Sequence, residues 1–339
     1  MADESKMAAE IREAPAVVAR QAEALRAPVA DLAARLRARP PRVVVTCARG
    51  SSAHAATFGK HLIERTLGIP VAAASPVIAT VYGRPLNLEG QLFLTVSQSG
   101  RSDDLIEQAR SAKAGGALTV ALVNAVDSPL AQACDVVLPM EAGPELSVAA
   151  TKTFVASASA LLTLAAAWSG ERAMGEALGR LPERLERACG LDWSAALPAL
   201  ADAVNLVTIG RGPTLAIARE AALKLKETCN LHGEAFSGAE FMHGPVTLVG
   251  DDFPILMFVP NDAGAEGMGR LAASLRQKGA DLFAAGLDDG GLPALPPDHA
   301  DADAICLVQA FYGLAVRLAE RRGIDVDQPR HLQKVTRTR

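Results

Sequence analysis

Aromatic residues and cysteines are scarce in this chain of 339 residues. Phe, Trp and Tyr together make up 4% of it, and the formal net charge at pH 7 is −4. A mildly acidic chain with few aromatics lacks the electrostatic footprint of a nucleic-acid-binding protein, so we expect no nucleic-acid partner. The five cysteines are odd in number and widely spaced, and no two form a Cys-x-x-Cys pair. This argues against a disulfide framework and a zinc knuckle, and it favours a reducing, cytoplasmic compartment.

Targeting signals and long apolar runs are also missing. The N-terminus has no basic-then-apolar signal pattern, and the run at 156–168 contains Ser and Thr. It falls short of the about 20 residues that a membrane span needs, so we expect a soluble chain with no membrane partner. No Walker A or Gly-x-Gly-x-x-Gly motif follows a predicted strand, which disfavours nucleotide binding.

Apolar residues make up half of the chain and predict large buried cores. They are mostly Ala and Leu, which favour helices, and Val and Ile, which favour strands. The length suits about two domains of roughly 100–200 residues each. Short apolar runs alternate with helical stretches, a pattern typical of parallel, doubly wound sheets. The predicted strands are 43–45, 92–96, 118–123, 136–138, 206–209, 255–259 and 282–285.

Matching landmarks recur in the two halves of the chain. Gly50 and Gly212 differ by 162 positions, and Val96 and Val259 differ by 163. We therefore predict an α/β fold with two copies of one flavodoxin-like unit in tandem. The alternative is a chance similarity of two α/β units, because the succession of strand, turn and helix recurs in many folds. The predicted limits are an N-terminal helix at 1–40, a first domain at 41–165, connecting helices at 166–198, a second domain at 199–322 and a C-terminal tail at 323–339.

Hydroxyl-rich segments follow two predicted strands of the first half. Ligands of open α/β sheets bind beyond the carboxyl ends of strands, where helix N-termini favour a phosphate. The segments predict a phosphate cradle, and the alternative for any single serine is a helix N-cap. The candidate side chains are Ser51, Ser52, Ser97, Gln98, Ser99 and Ser102.

Titratable residues cluster in the second half. Glu220, Lys224 and Glu227 share one helical face, whereas Lys226 points away from it. A solvated salt-bridge ladder is the alternative to an active-site cluster. Two His and two Glu follow within twelve residues, namely His232, Glu234, Glu240 and His243. They could shuttle protons or bind a metal; we favour proton transfer and expect neither a metal nor another cofactor.

The C-terminal segment from Asp325 to Lys334 is polar, and composition alone predicts a frayed chain end. This segment, however, also carries part of a family resemblance. The chain resembles the tandem sugar isomerase (SIS) proteins, in particular the isomerase half of glucosamine-6-phosphate synthases (glutamine–fructose-6-phosphate aminotransferases). The motifs that carry the resemblance are Ser-Gln-Ser-Gly at 97–100, Glu-Leu-Ser-Val-Ala-Ala-Thr-Lys-Thr-Phe at 145–154, Ala-Leu-Lys-Leu-Lys-Glu at 222–227, His-Gly-Glu-Ala-Phe at 232–236, His-Gly-Pro at 243–245 and Asp-Val-Asp-Gln-Pro-Arg at 325–330.

The resemblance implies a role for each candidate residue. The serines and Gln98 would bind a sugar 6-phosphate, and Glu227 would move a proton between C1 and C2. His243 would open the sugar ring from across a homodimer interface, with Lys334 binding the open sugar on a tail that acts as a lid. Lys224 would help with charge near C1 and C2. A loop containing Val148, Ala149 and Thr151 would lie at the sugar.

Departures from the synthase pattern shape the predicted function. Ala2 follows Met1, where a synthase has its glutaminase cysteine, and about 40 residues precede the first predicted strand. We therefore expect no glutaminase. Ala150 replaces a family serine, and the ending after His331 resembles stand-alone SIS deaminases. The leading hypothesis is a glucosamine-6-phosphate deaminase. The alternatives are amination or isomerisation of fructose 6-phosphate or a related sugar phosphate, and a non-catalytic sugar-phosphate sensor.

Overall fold

A computed structural model describes residues 4–287 and 291–334 of the chain. The strands are β1 (Val44–Ala48), β2 (Val71–Ala73), β3 (Leu92–Ser97), β4 (Leu118–Val123), β5 (Val136–Pro139), β6 (Asn205–Gly210), β7 (His232–Ser237), β8 (Pro254–Phe258) and β9 (Asp281–Ala285). The helices are α1 (Lys6–Ala38), α2 (Gly50–Leu67), α3 (Val77–Thr80), α4 (Asp103–Ala114), α5 (Pro129–Ala133), α6 (Lys152–Ser169), α7 (Arg172–Cys189), α8 (Leu197–Asp202), α9 (Thr214–Cys229), α10 (Gly238–Phe241), α11 (Ala265–Gln277) and α12 (Ala300–Arg321).

The chain divides into two compact units, each built around one sheet. The five-stranded unit comprises residues 16–145, 152–178 and the described residues after 332. The four-stranded unit comprises the described residues of 4–15, 146–151 and 179–332. The predicted α/β fold with parallel sheets is confirmed. The predicted domain limits remain a prediction.

The sheet of the five-stranded unit has the order β2-β1-β3-β4-β5, and all its strands are parallel. Every residue of β3 is buried, as expected for a central strand covered on both faces. The order in which the chain adds strands to the sheet reverses between β1 and β3, where Ala48 lies opposite Val96. In open sheets of this order, ligands bind at that switch point, so the carboxyl ends of β1 and β3 mark the position for a site.

The sheet of the four-stranded unit has the order β7-β6-β8-β9, again all parallel. This order reproduces that of the first four strands of the other sheet, which supports the predicted repeat. The edge strand β7 was not predicted, because its sequence, His-Gly-Glu-Ala-Phe-Ser, contains no apolar run. Its backbone pairs with β6 from Asn205↔His232 to Gly210↔Ser237, so the neighbouring strand defines it.

The last helix, α12, forms much of the core of the four-stranded unit. The ring of its Phe311 lies 6.0 Å from the rings of Phe258 and Tyr312, between centroids. Among helices in the described ranges, α12 is the one long and apolar enough to cross a bilayer by length and composition. No apolar run noted in the sequence covers it. Because 83% of its most apolar stretch is buried, as in a core helix, it is weak evidence for a membrane span.

Candidate active site

The hydroxyl-rich segment after β1 lies in a helix. Helix α2 begins at Gly50, so Ser51 and Ser52 belong to its first turn, with both residues half-buried. The first turn of a helix carries backbone N–H groups without partners inside the helix and a partial positive charge. These two serines therefore lie where a phosphate would find both backbone and hydroxyl donors.

The loop after β3 holds its shape through its own hydroxyl groups. The Oγ atom of buried Ser97 accepts a hydrogen bond of 3.1 Å from the Gly100 backbone N–H, and Ser99 Oγ accepts one of 3.3 Å from Arg101. Ser102 stands at the N-cap of α4, the position that the alternative interpretation predicts. Its side chain makes no capping hydrogen bond, however. Gln98 lies between the two serines and is half-buried.

Gly100 is required for this loop. Its φ is +62°, and a Cβ atom added there would lie 2.0 Å from Ser128 Oγ. We expect Gly100→Ala to displace the loop and to weaken binding of a sugar phosphate about tenfold. Gly83→Ala is the matched control, because Gly83 has a φ of +59° with no atom within 4 Å of the added Cβ. Calorimetric titration of both variants would measure the difference, and equal affinities would contradict the steric explanation.

An ion pair between an exposed arginine and a buried carboxylate, missed from the sequence, ties the two loops together. Both Nε and Nη2 of Arg49 donate to Oδ2 of Asp104, at 3.0 and 2.7 Å. The Asp104 side chain is buried at the start of α4, whereas Arg49 is half exposed. No sequence spacing connects residues that are 55 positions apart. Burial raises the pKa of the nearby Cys47 thiol to about 12, so this cysteine is not a nucleophile at neutral pH.

The loop at 146–151 is anchored by a glutamate of α1. Buried Glu10 accepts hydrogen bonds from the backbone N–H groups of Leu146 and Ser147. Of the three predicted sugar-loop residues, Ala149 and Thr151 are buried and Val148 is half-buried. Val148 is thus the one with appreciable surface.

Glu220, Lys224 and Glu227 of α9 form a largely buried cluster, so the predicted alternative of a solvated ladder is wrong. Glu220 and Lys224 are fully buried, with Lys224 Nζ 3.5 Å from Glu220 Oε1. Lys224 also donates a hydrogen bond to Glu227 Oε2. The Glu227 side chain alone is partly exposed, at 21%. In this cluster the Glu227 carboxylate reaches the surface, and the buried ammonium group of Lys224 binds it from the protein interior.

The residues after α9 form an edge strand instead of a turn. His232 and Glu234 are exposed on β7, two positions apart and thus on one face. Gly233 lets β7 approach α9 closely, since its Cβ would lie 3.2 Å from Ala222 Cα. Lys226 donates to the Gly233 carbonyl at 2.7 Å, and partial burial lowers the pKa of its ammonium group.

Two predicted site residues, Glu240 and His243, lie near the short helix α10. His243 is exposed in the turn that follows it, and its backbone N–H donates to Glu240 O at 2.9 Å. Within residues 4–287 and 291–334, no three His, Cys, Asp or Glu side chains gather as a metal site would require. The alternative metal ligands His232, Glu234, Glu240 and His243 are thus not assembled.

The described part of the C-terminal segment contacts the rest of the chain through its side chains, whereas composition alone predicts a frayed chain end. Asp327 caps the start of α1 by accepting from the backbone N–H groups of Lys6 and Met7, at 2.7 and 3.0 Å. In the five-stranded unit, Lys334 Nζ lies 2.9 Å from Glu145 Oε2, and the Glu145 side chain is fully buried. Residues 335–339 of the predicted tail lie outside the described residues.

Comparison with known proteins agrees with the resemblance. The family model for the SIS domain matches residues 39–167 and 199–285. The chain is 35% identical over 326 residues to the isomerizing glutamine–fructose-6-phosphate aminotransferase of Symbiobacterium thermophilum, a match that covers 89% of this chain and 52% of that protein. The chain therefore spans about half the length of the curated relatives it matches.

Solved structures match along nearly the whole chain. A "putative phosphosugar isomerase" of Silicibacter pomeroyi DSS-3 is 43% identical with a TM-score of 0.91, covering 96% of this chain and 100% of that one. The C-terminal domain of the glucosamine-fructose-6-phosphate aminotransferase of Francisella tularensis is 26% identical with a TM-score of 0.86, covering 97% of this chain and 99% of that one.

Proposed function

Because the chain belongs to the SIS domain family, we propose that it is an enzyme acting on a sugar 6-phosphate, and that it deaminates glucosamine 6-phosphate to fructose 6-phosphate and ammonia. The main support is the α9 cluster, in which buried Lys224 holds the single partly exposed carboxylate of Glu227. A protein that only bound a sugar phosphate would have no need of such a base.

Phosphate recognition is assigned to the serine-rich segments of the five-stranded unit. The first turn of α2 and the loop after β3 follow neighbouring strands, and both offer hydroxyl groups and backbone N–H groups. A phosphate is remote from the reacting carbons, so its binding energy can orient them without taking part in the chemistry. The proposed ligands are Ser51, Ser52, Ser97, Gln98, Ser99 and Ser102.

Proton transfer is assigned to the four-stranded unit. His243 moves a proton from the C1 hydroxyl to the ring oxygen, which opens the ring to the aldehyde. Glu227 then removes the C2 proton and returns it to C1 through an enolamine, giving the C2 imine of fructose 6-phosphate. Water adds to C2 and ammonia leaves, so the atoms of glucosamine 6-phosphate and water are all accounted for. Lys334 assists by binding the open sugar, and Val148 contacts it.

The opposite direction is the second candidate, because the curated relatives are aminotransferases. The decisive experiment incubates the protein with glucosamine 6-phosphate while ammonia and fructose 6-phosphate are measured, and then with fructose 6-phosphate and ammonia. Faster deamination supports the proposal, and faster amination supports the second candidate. Binding without turnover in either direction would instead indicate a sensor.

A homodimer that shares His243 is part of the proposal. His243→Gln and Glu227→Gln chains should each be inactive alone. After mixing in equal amounts and exchanging subunits, half of the dimers are mixed, and each has one site free of both substitutions. We expect about a quarter of the wild-type activity to return. If each chain forms its site alone, the mixture stays inactive.

A further inference from the structure

Helix α12 brings a tyrosine hydroxyl to the α9 cluster. Tyr312 Oη lies 3.3 Å from Glu220 Oε1, and both residues are fully buried. Glu220 in turn is paired with Lys224, which donates to Glu227. Four side chains from two helices thus form a continuous polar row from the core of the four-stranded unit to the partly exposed Glu227.

We propose that Tyr312 is a positioning residue that acts on Glu227 through Glu220 and Lys224. The inference rests on the proposed role of Glu227 as the base. The ammonium group of Lys224 is shared between the carboxylates of Glu220 and Glu227. The strength of its bond to Glu227 therefore depends on how many hydrogen bonds Glu220 accepts from other donors. Tyr312 supplies one of the hydrogen bonds that the Glu220 carboxylate accepts. Glu220 then attracts Lys224 less, and Lys224 stays close to Glu227.

Packing does not require the Tyr312 hydroxyl. The ring lies 6.0 Å from that of Phe311, between centroids, in an aromatic cluster that a phenylalanine at position 312 would complete equally well. A buried hydroxyl has a desolvation cost that only a good acceptor offsets, and an ionised carboxylate is a stronger acceptor than a neutral group. The hydroxyl is therefore accounted for by Glu220.

Loss of the hydroxyl should affect catalysis more than substrate binding. In Tyr312→Phe, Glu220 lacks one donor and competes more strongly for Lys224, so Glu227 loses its fixed position. We expect kcat to fall about tenfold with KM nearly unchanged, since hydrogen bonds to charged groups are among the stronger ones. A purely structural role would lower the unfolding temperature and leave kcat at 25 °C unchanged.

The matched control is Tyr82→Phe, because the chain has two tyrosines and Tyr82 is exposed at 66%. It should leave kcat unchanged. This substitution also makes Tyr312 the sole tyrosine. The ring doublet of tyrosine in the Raman spectrum, whose intensities depend on hydrogen bonding of the hydroxyl group, then comes from Tyr312 alone. Glu220→Gln, added to the Tyr82→Phe variant, should shift this doublet toward a weaker hydrogen bond from Tyr312. The measurement needs no substrate and leaves Tyr312 itself unchanged.

The two measurements separate the possible failures. An unmoved doublet would overturn the bond from Tyr312 to Glu220. A shifted doublet with an unchanged kcat in Tyr312→Phe would overturn the positioning role. If Tyr312→Phe does not fold, the kcat of Glu220→Gln decides in its place. Its neutral amide competes less for Lys224, so kcat should be kept, and a tenfold fall would overturn the competition that Tyr312 is proposed to relieve. A wild-type protein that turns over neither sugar phosphate would refute the proposed function, while the doublet would still test the bond.

Discussion

Glu227→Gln is expected to lower kcat about a thousandfold while leaving the affinity for a sugar phosphate within about twofold. General acid–base catalysis contributes between about 10² and 10⁴ to a rate, and an amide cannot accept the C2 proton. The proposed phosphate ligands are not altered by this substitution. The measurement is exchange of the C2 hydrogen with deuterated water by NMR, together with calorimetric binding of the sugar phosphate.

Glu266→Gln is the matched control for this variant. Glu266 lies on α11 of the same unit, and its exposed side chain pairs with Arg270 one helical turn away. Exposed pairs of this kind contribute well under about 1 kcal/mol, so both stability and turnover should stay at wild-type values. Exchange at C2 that persists in Glu227→Gln would remove Glu227 from the role of base.

Lys224→Met is expected to lower the free energy of unfolding by about 3–5 kcal/mol, the range seen when one partner of a buried ion pair is removed. The methionine keeps most of the volume, so the loss reports mainly the missing ammonium group beside fully buried Glu220. Urea unfolding followed by circular dichroism measures it. Lys226→Met, on the same helix, should cost about 1 kcal/mol or less because its carbonyl partner is neutral.

A double variant separates the structural and catalytic roles of Lys224. In Lys224→Met with Glu220→Gln, no unpaired buried charge remains, so most of the lost stability should return. Turnover should stay low, because Glu227 still lacks the ammonium group that holds it. Full recovery of kcat in the double variant would show that Lys224 serves stability alone.

Several elements of the fold were predictable because their sequences carry a local signal. The strand predicted at 118–123 occurs with those limits as β4, and α1 (Lys6–Ala38) lies within the helix predicted at 1–40. An apolar, β-branched run suits a central parallel strand, and a helical period identifies a helix, whatever surrounds them. The residues named for the phosphate cradle likewise lie at the ends of adjacent strands.

Other elements depend on contacts that no local pattern encodes. β2 has three residues, two of them exposed, and β7 has no apolar run, so pairing with β1 and β6 defines them as strands. No local pattern shows that Ser51 and Ser52 lie in a helical turn, and in the structure they do because α2 begins at Gly50.

The sequence alone determined the α/β class, the central strands and which titratable residues share a face of α9, because each depends on composition or on a period of a few residues. The tertiary structure decided whether that face of α9 is exposed to water or buried. Helical spacing is the same for a solvated ladder and for a buried cluster, and only packing against other elements makes Lys224 inaccessible to water. Tyr312 reaches Glu220 across 92 positions, and Arg49 reaches Asp104 across 55. Such pairs follow from how helices and strands pack, since a hydrogen bond depends on distance in space and not along the chain.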